Sequence, residues 1–138
     1  MKMDKAALAA FLDSDFPQVK DMFTVEAVGT DTLTLRMTSS PELLRPGGTV
    51  SGPAMFALAD VAVYLTILSQ IGPKALTVTT NASMDFMRKP AAGVDLLCET
   101  RLLKLGRALA VADALIFSEG DARPVARASL TYSIPPKG

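Results

Sequence analysis

The chain has no histidine, no tryptophan and one cysteine, and its 14 basic side chains balance 14 acidic ones over 138 residues. Each shortage removes a class of function. Without histidine there is no Ser-His-Asp or Cys-His catalysis, no His-ligated zinc and no His–carboxylate dehydratase pair. A single cysteine allows neither an intrachain disulfide nor a cysteine-rich metal site. Cys98 lies in the strand-like run Leu96-Leu97-Cys98-Glu99-Thr100 and, with no histidine to activate it, reads as a buried thiol. Scattered charge and 6% aromatic residues offer no basic, base-stacking surface, so nucleic acid is not an expected partner. The longest apolar run, Pro53 to Leu68, is shorter than a membrane span and holds Asp60 near its middle, so a membrane is not expected either. The opening residues are too short and too acid-interrupted for a secretory signal, which makes the cytoplasm the expected location. Any acid–base chemistry must rest on carboxylates, lysines, tyrosines or water.

What is present is ordinary globular material: 49% apolar and 20% charged residues, expected to form one domain over residues 1–138. Asp4 to Asp13 reads as a short amphipathic helix that Pro17 ends. Met22 to Gly29 and Thr32 to Met37 alternate apolar and polar residues around a Gly29-Thr30-Asp31 turn. A loop rich in glycine and proline runs from Ser39 to Gly52. A helix from Gly52 to Gln70 follows, closed by Ile71-Gly72-Pro73. Four strands are expected after it: Leu76 to Met87, Val94 to Leu103, Ala108 to Ser118 and Val125 to Ile134. One long apolar helix among consecutive antiparallel strands is an α+β pattern, a curved sheet wrapped around the helix. A helix apolar nearly all round must be covered on most sides, which one sheet does only in part. Pairing with a second copy is therefore expected.

The most informative stretch is Arg45-Pro46-Gly47-Gly48-Thr49-Val50-Ser51-Gly52-Pro53 running into Ala57-Leu58-Ala59-Asp60. A carboxylate in an apolar helix is costly without partners, so Asp60 is a candidate functional acid. The glycines before it let backbone N–H groups approach a ligand, and a helix start aims unsatisfied donors outward. Ser51 precedes the helix and suits an N-cap, or a hydrogen bond within a site.

These residues resemble the PaaI-like acyl-CoA thioesterases of the hotdog fold. Gly47 to Gly52 and Ala57 to Asp60 carry the likeness, with Asn81-Ala82-Ser83-Met84-Asp85-Phe86-Met87-Arg88-Lys89-Pro90 and the turn Lys104-Leu105-Gly106-Arg107. The resemblance spans about Phe23 to Ile134. It implies a homodimer or dimer of dimers, with active sites at the subunit interface and neither metal nor cofactor. It makes Asp60 the catalytic acid, as general base or nucleophile. The Gly52 N–H then polarises the thioester carbonyl, and Thr79 helps position the attacking water from across the dimer. The chain departs from the family pattern where Ser51-Gly52-Pro53 replaces a frequent His-Gly-Gly. A second departure lies near Arg45, where relatives often carry asparagine or glutamine.

Strict alternation after the helix puts Val78, Thr80, Ala82, Met84 and Phe86 on one face and Thr77, Thr79, Asn81, Ser83 and Asp85 on the other. Asn81 is the second candidate on that polar face. Arg88, Lys89, Lys104 and Arg107 are candidates for coenzyme A phosphates, while Met55, Phe56 and Tyr64 suit an acyl pocket or the core. The resulting expectation is an acyl-CoA thioesterase acting on a medium-chain or aromatic acyl group. A non-catalytic acyl-thioester-binding or sensing protein of the same fold is the alternative.

Overall fold

The computed structural model describes residues 1–19, 21–46, 48–74 and 77–136. Gly47 and the expected strand start at Leu76 lie outside the described residues. Helix α1 spans Lys5–Asp15, with the Asp4 carboxylate capping it by accepting from the Ala7 N–H at 2.9 Å. It ends because Pro17 disfavours helical backbone in the residue before it, and Phe16 turns out of the helix at φ −133°. A 3₁₀ turn, Pro17–Val19, leads towards strand β1 (Phe23–Gly29) and strand β2 (Thr32–Met37). Helix α2 spans Gly52–Ile71, and Gly72 stops it at φ 94°, a left-handed position that favours glycine. Strands β3 (Val78–Phe86), β4 (Leu96–Leu105), β5 (Leu109–Ser118) and β6 (Pro124–Ser133) complete the chain.

Among the described residues six strands form one antiparallel sheet in the order β1-β2-β4-β5-β6-β3. Its inner face wraps α2, and Leu58, Leu65, Ile67 and Leu68 are fully buried there. This is the hotdog arrangement. By length and a mean hydropathy of 1.7, α2 resembles a membrane span, but most of its surface is buried inside the protein. One polar tie crosses the core. Thr66 donates to the Ala62 carbonyl at 2.6 Å and meets the Thr100 hydroxyl, which bonds the Leu33 carbonyl at 3.2 Å. Every group there is satisfied, so the buried hydroxyls cost little. Cys98 is fully buried, and burial pushes its thiol well above the usual range, as expected for an inert thiol.

Strand β3 departs from the expected alternation. It pairs Thr79 with Tyr132 but Asn81 with Thr131, so Thr80 is an extra residue in a bulge. Residues directly opposite in an antiparallel pair share a face, and the bulge shifts the parity by one. Thr79 therefore points inward with Tyr132, and Ala82, Met84 and Phe86 point inward opposite Leu130, Ala128 and Ala126. Asn81, Ser83 and Asp85 point to the outer face. A single polar face containing both Thr79 and Asn81 does not exist, because the bulge lies between them.

At the β1–β2 end of the sheet, Arg36 bonds Glu26, Asp95 (2.9 Å) and Glu119 (2.7 Å), and Asp95 also accepts from the Ser39 N–H at 2.7 Å. That N–H and the Arg36 guanidinium hold the Asp95 carboxyl below its usual range. The folded form thus binds a proton less readily than the unfolded chain. The stabilisation is present above the unfolded value of about 3.9 and is lost as pH falls through the lower folded value. Thermal melts across the acid range are expected to show Asp95→Asn flattening the decline in Tm below about pH 4. An acid limb identical to wild type would contradict this.

Candidate active site

Asp60 lies in the ninth position of α2, half-buried, on the side facing β3 and β6. Its Oδ1 accepts two hydroxyl hydrogen bonds, from Thr79 at 2.6 Å and from Tyr132 at 2.6 Å. The Tyr132 hydroxyl also lies 2.8 Å from the Asp60 backbone carbonyl. Among the described residues no cation of the same chain pairs with Asp60. Both donors engage Oδ1, and Oδ2 makes no hydrogen bond among the described residues. Burial, and then the charge of Asp60, push the Tyr132 phenol well above its usual range. Tyr132 therefore remains a neutral donor at working pH.

Tyr132 is not among the candidates read from the sequence, although a signal exists. It falls on an inward-facing position of β6, and a tyrosine there needs a partner for its hydroxyl. Its ring stacks on Tyr64 at 6.1 Å, and Phe16 meets Tyr64 edge-on at 6.4 Å. A cavity of about 370 Å³ opens beside Asp60, walled by Phe16, Tyr64, Thr77, Thr79 and Tyr132.

Gly52 lies at the other end of the same face. Ser51 caps α2 by accepting from the Ala54 N–H at 3.2 Å, and the Met55 N–H bonds the Ser51 carbonyl at 3.1 Å. Pro53 has no N–H, which leaves that of Gly52 as the first-turn donor without an acceptor among the described residues. Its backbone is not left-handed, and an added Cβ would lie 3.4 Å from the Phe86 ring, an ordinary contact. The chain's own fold therefore does not demand glycine here. A second cavity, about 420 Å³, is lined by Gly52 together with Arg45, Phe86, Arg88 and Lys89.

Asp60 and Gly52 are eight residues apart on one helix, about 12 Å along its axis. One chain therefore holds the acid and the donor in separate cavities. The structure groups Thr79 with Asp60, and Arg88 and Lys89 with Gly52. Asn81 is on the outer face, and Lys104 and Arg107 are exposed at the β4–β5 turn, lining neither cavity. A further cleft, about 530 Å³, is on the outer sheet face across the Arg127–Asp85 ion pair and contains none of these residues.

The family model of the thioesterase superfamily matches residues 47–125. A protein from Silicibacter sp. TM1040, assigned as a thioesterase, is 57% identical in sequence. The likeness covers 97% of this chain and 93% of that one, with a TM-score of 0.91. A mutant form of the phenylacetic acid degradation protein PaaI from Thermus thermophilus is 24% identical over 86% of this chain and 99% of its own, with a TM-score of 0.75. A Streptococcus mutans protein bound to acetyl CoA is 22% identical over 83% and 90%, with a TM-score of 0.73. These last two likenesses bear on the fold alone. No curated protein matches the sequence.

Proposed function

The chain belongs to the thioesterase superfamily and is a thioester hydrolase, and we propose that it cleaves acyl-coenzyme A to the free acid and coenzyme A. The observation that carries this is Asp60, with Oδ1 held by two neutral hydroxyls and Oδ2 unengaged beside a cavity. Water attacks the carbonyl carbon as Oδ2 takes its proton. The tetrahedral oxyanion is met by the Gly52 N–H, and its collapse expels the thiolate, which recovers the proton from Asp60. Direct attack by Asp60 followed by hydrolysis of the mixed anhydride uses the same oxygen.

One thioester carbonyl cannot reach a donor and an acid about 12 Å apart, so the reading requires a homodimer with composite sites. Strand β3 is a sheet edge, with Val78 52% and Phe86 53% exposed. Such an edge is a template for pairing with another strand. If two copies pair antiparallel about a two-fold axis near Ala82 and Ser83, the Phe86 end of one strand lies beside the partner's Thr79. Gly52 then approaches the partner's Asp60. Arg45, Arg88 and Lys89 around Gly52 suit the phosphates of coenzyme A. The walls of the Asp60 cavity suit a medium-chain or aromatic acyl group.

Release of free thiol from a panel of acyl-coenzyme A esters tests the reading. Turnover is expected, and a folded dimer inert on every member would contradict it. Tyr132→Phe removes one donor to a charged oxygen, an interaction worth about 1.5–3 kcal/mol. It is expected to lower kcat about 10- to 100-fold with KM little changed. A change in KM alone would remove Tyr132 from the positioning of Asp60.

A further inference from the structure

Four parts of the chain build the Asp60 cavity, and only three of them belong to the reacting centre. Helix α2 contributes Asp60 and Tyr64, the chain entering β3 contributes Thr77 and Thr79, and β6 contributes Tyr132. The fourth part is the corner where α1 meets the Pro17–Val19 turn, which contributes Asp15, Phe16 and Gln18. That corner precedes residues 47–125, the span shared with the superfamily model. We propose that Phe16 and Gln18 form the distal wall of the acyl pocket and set the longest acyl chain the enzyme accepts. This rests on the acyl-coenzyme A hydrolase reading.

The assignment of the pocket follows from its lining. The cavity at Asp60 has Phe16, Val61, Tyr64 and Val78 in its walls and no basic residue, whereas Arg45, Arg88 and Lys89 gather in the cavity at Gly52, which in a shared site is the partner's. With coenzyme A over the basic cavity, the acyl chain fills the apolar one and runs from Asp60 across Tyr64, one turn and about 6 Å further along α2. Phe16 stands there, its ring 6.4 Å from that of Tyr64 at an interplanar angle of 82°.

The wall is held firmly. Phe16 caps α1 through its N–H to the Leu12 carbonyl at 3.2 Å, Pro17 follows it, and the Val19 N–H returns to the Phe16 carbonyl at 3.2 Å. Phe11 fastens the same helix to Tyr64, with ring centroids 6.0 Å apart. The Thr77 hydroxyl, on a residue only 3% exposed, has no hydrogen-bond partner among the described residues. An unpartnered polar atom in a cavity wall is what remains when the chain alone does not complete the site. The acidic Asp15 and Asp60 in the lining favour a neutral acyl tail over a carboxylated one.

The test compares kcat/KM for acetyl-, hexanoyl-, decanoyl- and palmitoyl-coenzyme A in the native protein, Phe16→Ala and Gln18→Trp. A pocket end discriminates by about tenfold or more for each methylene that does not fit. Phe16→Ala is expected to raise the decanoyl-to-hexanoyl ratio at least about tenfold. Gln18→Trp, which removes no packed side chain, is expected to lower that ratio, with the loss growing from the acetyl to the palmitoyl ester. Should Phe16→Ala fail to fold, Gln18→Trp decides alone. Equal scaling of all four esters would overturn the proposal while leaving the hydrolase intact. No turnover of any ester by the native protein would overturn both.

Discussion

Asp60→Asn is expected to lower acyl-coenzyme A hydrolysis by about 10²- to 10⁴-fold, the range typical for losing a positioned acid–base group. The substitution is nearly isosteric. The amide oxygen can still accept from Thr79 and Tyr132, so the hydroxyl contacts that order the site survive. What is lost is confined to the Oδ2 position, where an NH₂ group can neither take a proton from water nor attack a carbonyl. The loss should therefore appear in kcat, with coenzyme A affinity, melting temperature and oligomeric state near those of the native protein. Free-thiol release and coenzyme A titration on the same preparations check this. An undiminished rate would move the catalytic group away from Asp60.

Gly52→Pro is expected to cost about 10²- to 10³-fold in turnover, the loss seen when one oxyanion donor is removed. Proline deletes the N–H while suiting the first position of a helix, where no intrahelical bond is forfeited. Ser51 already has the extended backbone that a following proline requires, at φ −73° and ψ 155°. The nearest obstacle is the Phe86 ring, the far end of an exposed side chain. Gly52→Ala keeps the N–H and separates the donor from the bulk beside it. Circular dichroism and turnover, measured together, check that the rate falls for proline much further than for alanine. Equal losses would assign Gly52 a steric role only.

Much of the fold is legible from local pattern. Period-two runs mark the strands, and a helix apolar on all sides announces the element that the sheet wraps. Boundaries move by only one or two residues wherever a cap or a proline decides them, as at Asp4 and Phe16. Strand β3 escapes this reading because one bulged residue, Thr80, inverts the face of everything after it, and nothing in Thr-Thr-Asn marks a bulge. Thr79 is found through resemblance to known thioesterases rather than through periodicity. Tyr132 is missed because its contact with Asp60 joins positions 72 residues apart, which only the β3–β6 pairing brings together. The separation of about 12 Å between Asp60 and Gly52 follows from helix geometry alone. It acquires meaning only once the two cavities are seen to be distinct.

The claim that the active site is shared between two chains is tested most directly by mixing two inactive variants. Asp60→Asn and Gly52→Pro chains are co-expressed with different tags, and the heterodimer is purified and assayed for thiol release. In a shared site, one of the two positions in the heterodimer regains both a native Asp60 and a native Gly52 N–H. The account predicts about half the native turnover per dimer from two parents that are each at least about 10²-fold impaired. A heterodimer as inactive as its parents would contradict it, placing the acid and the donor in one chain or removing one of them from the reaction.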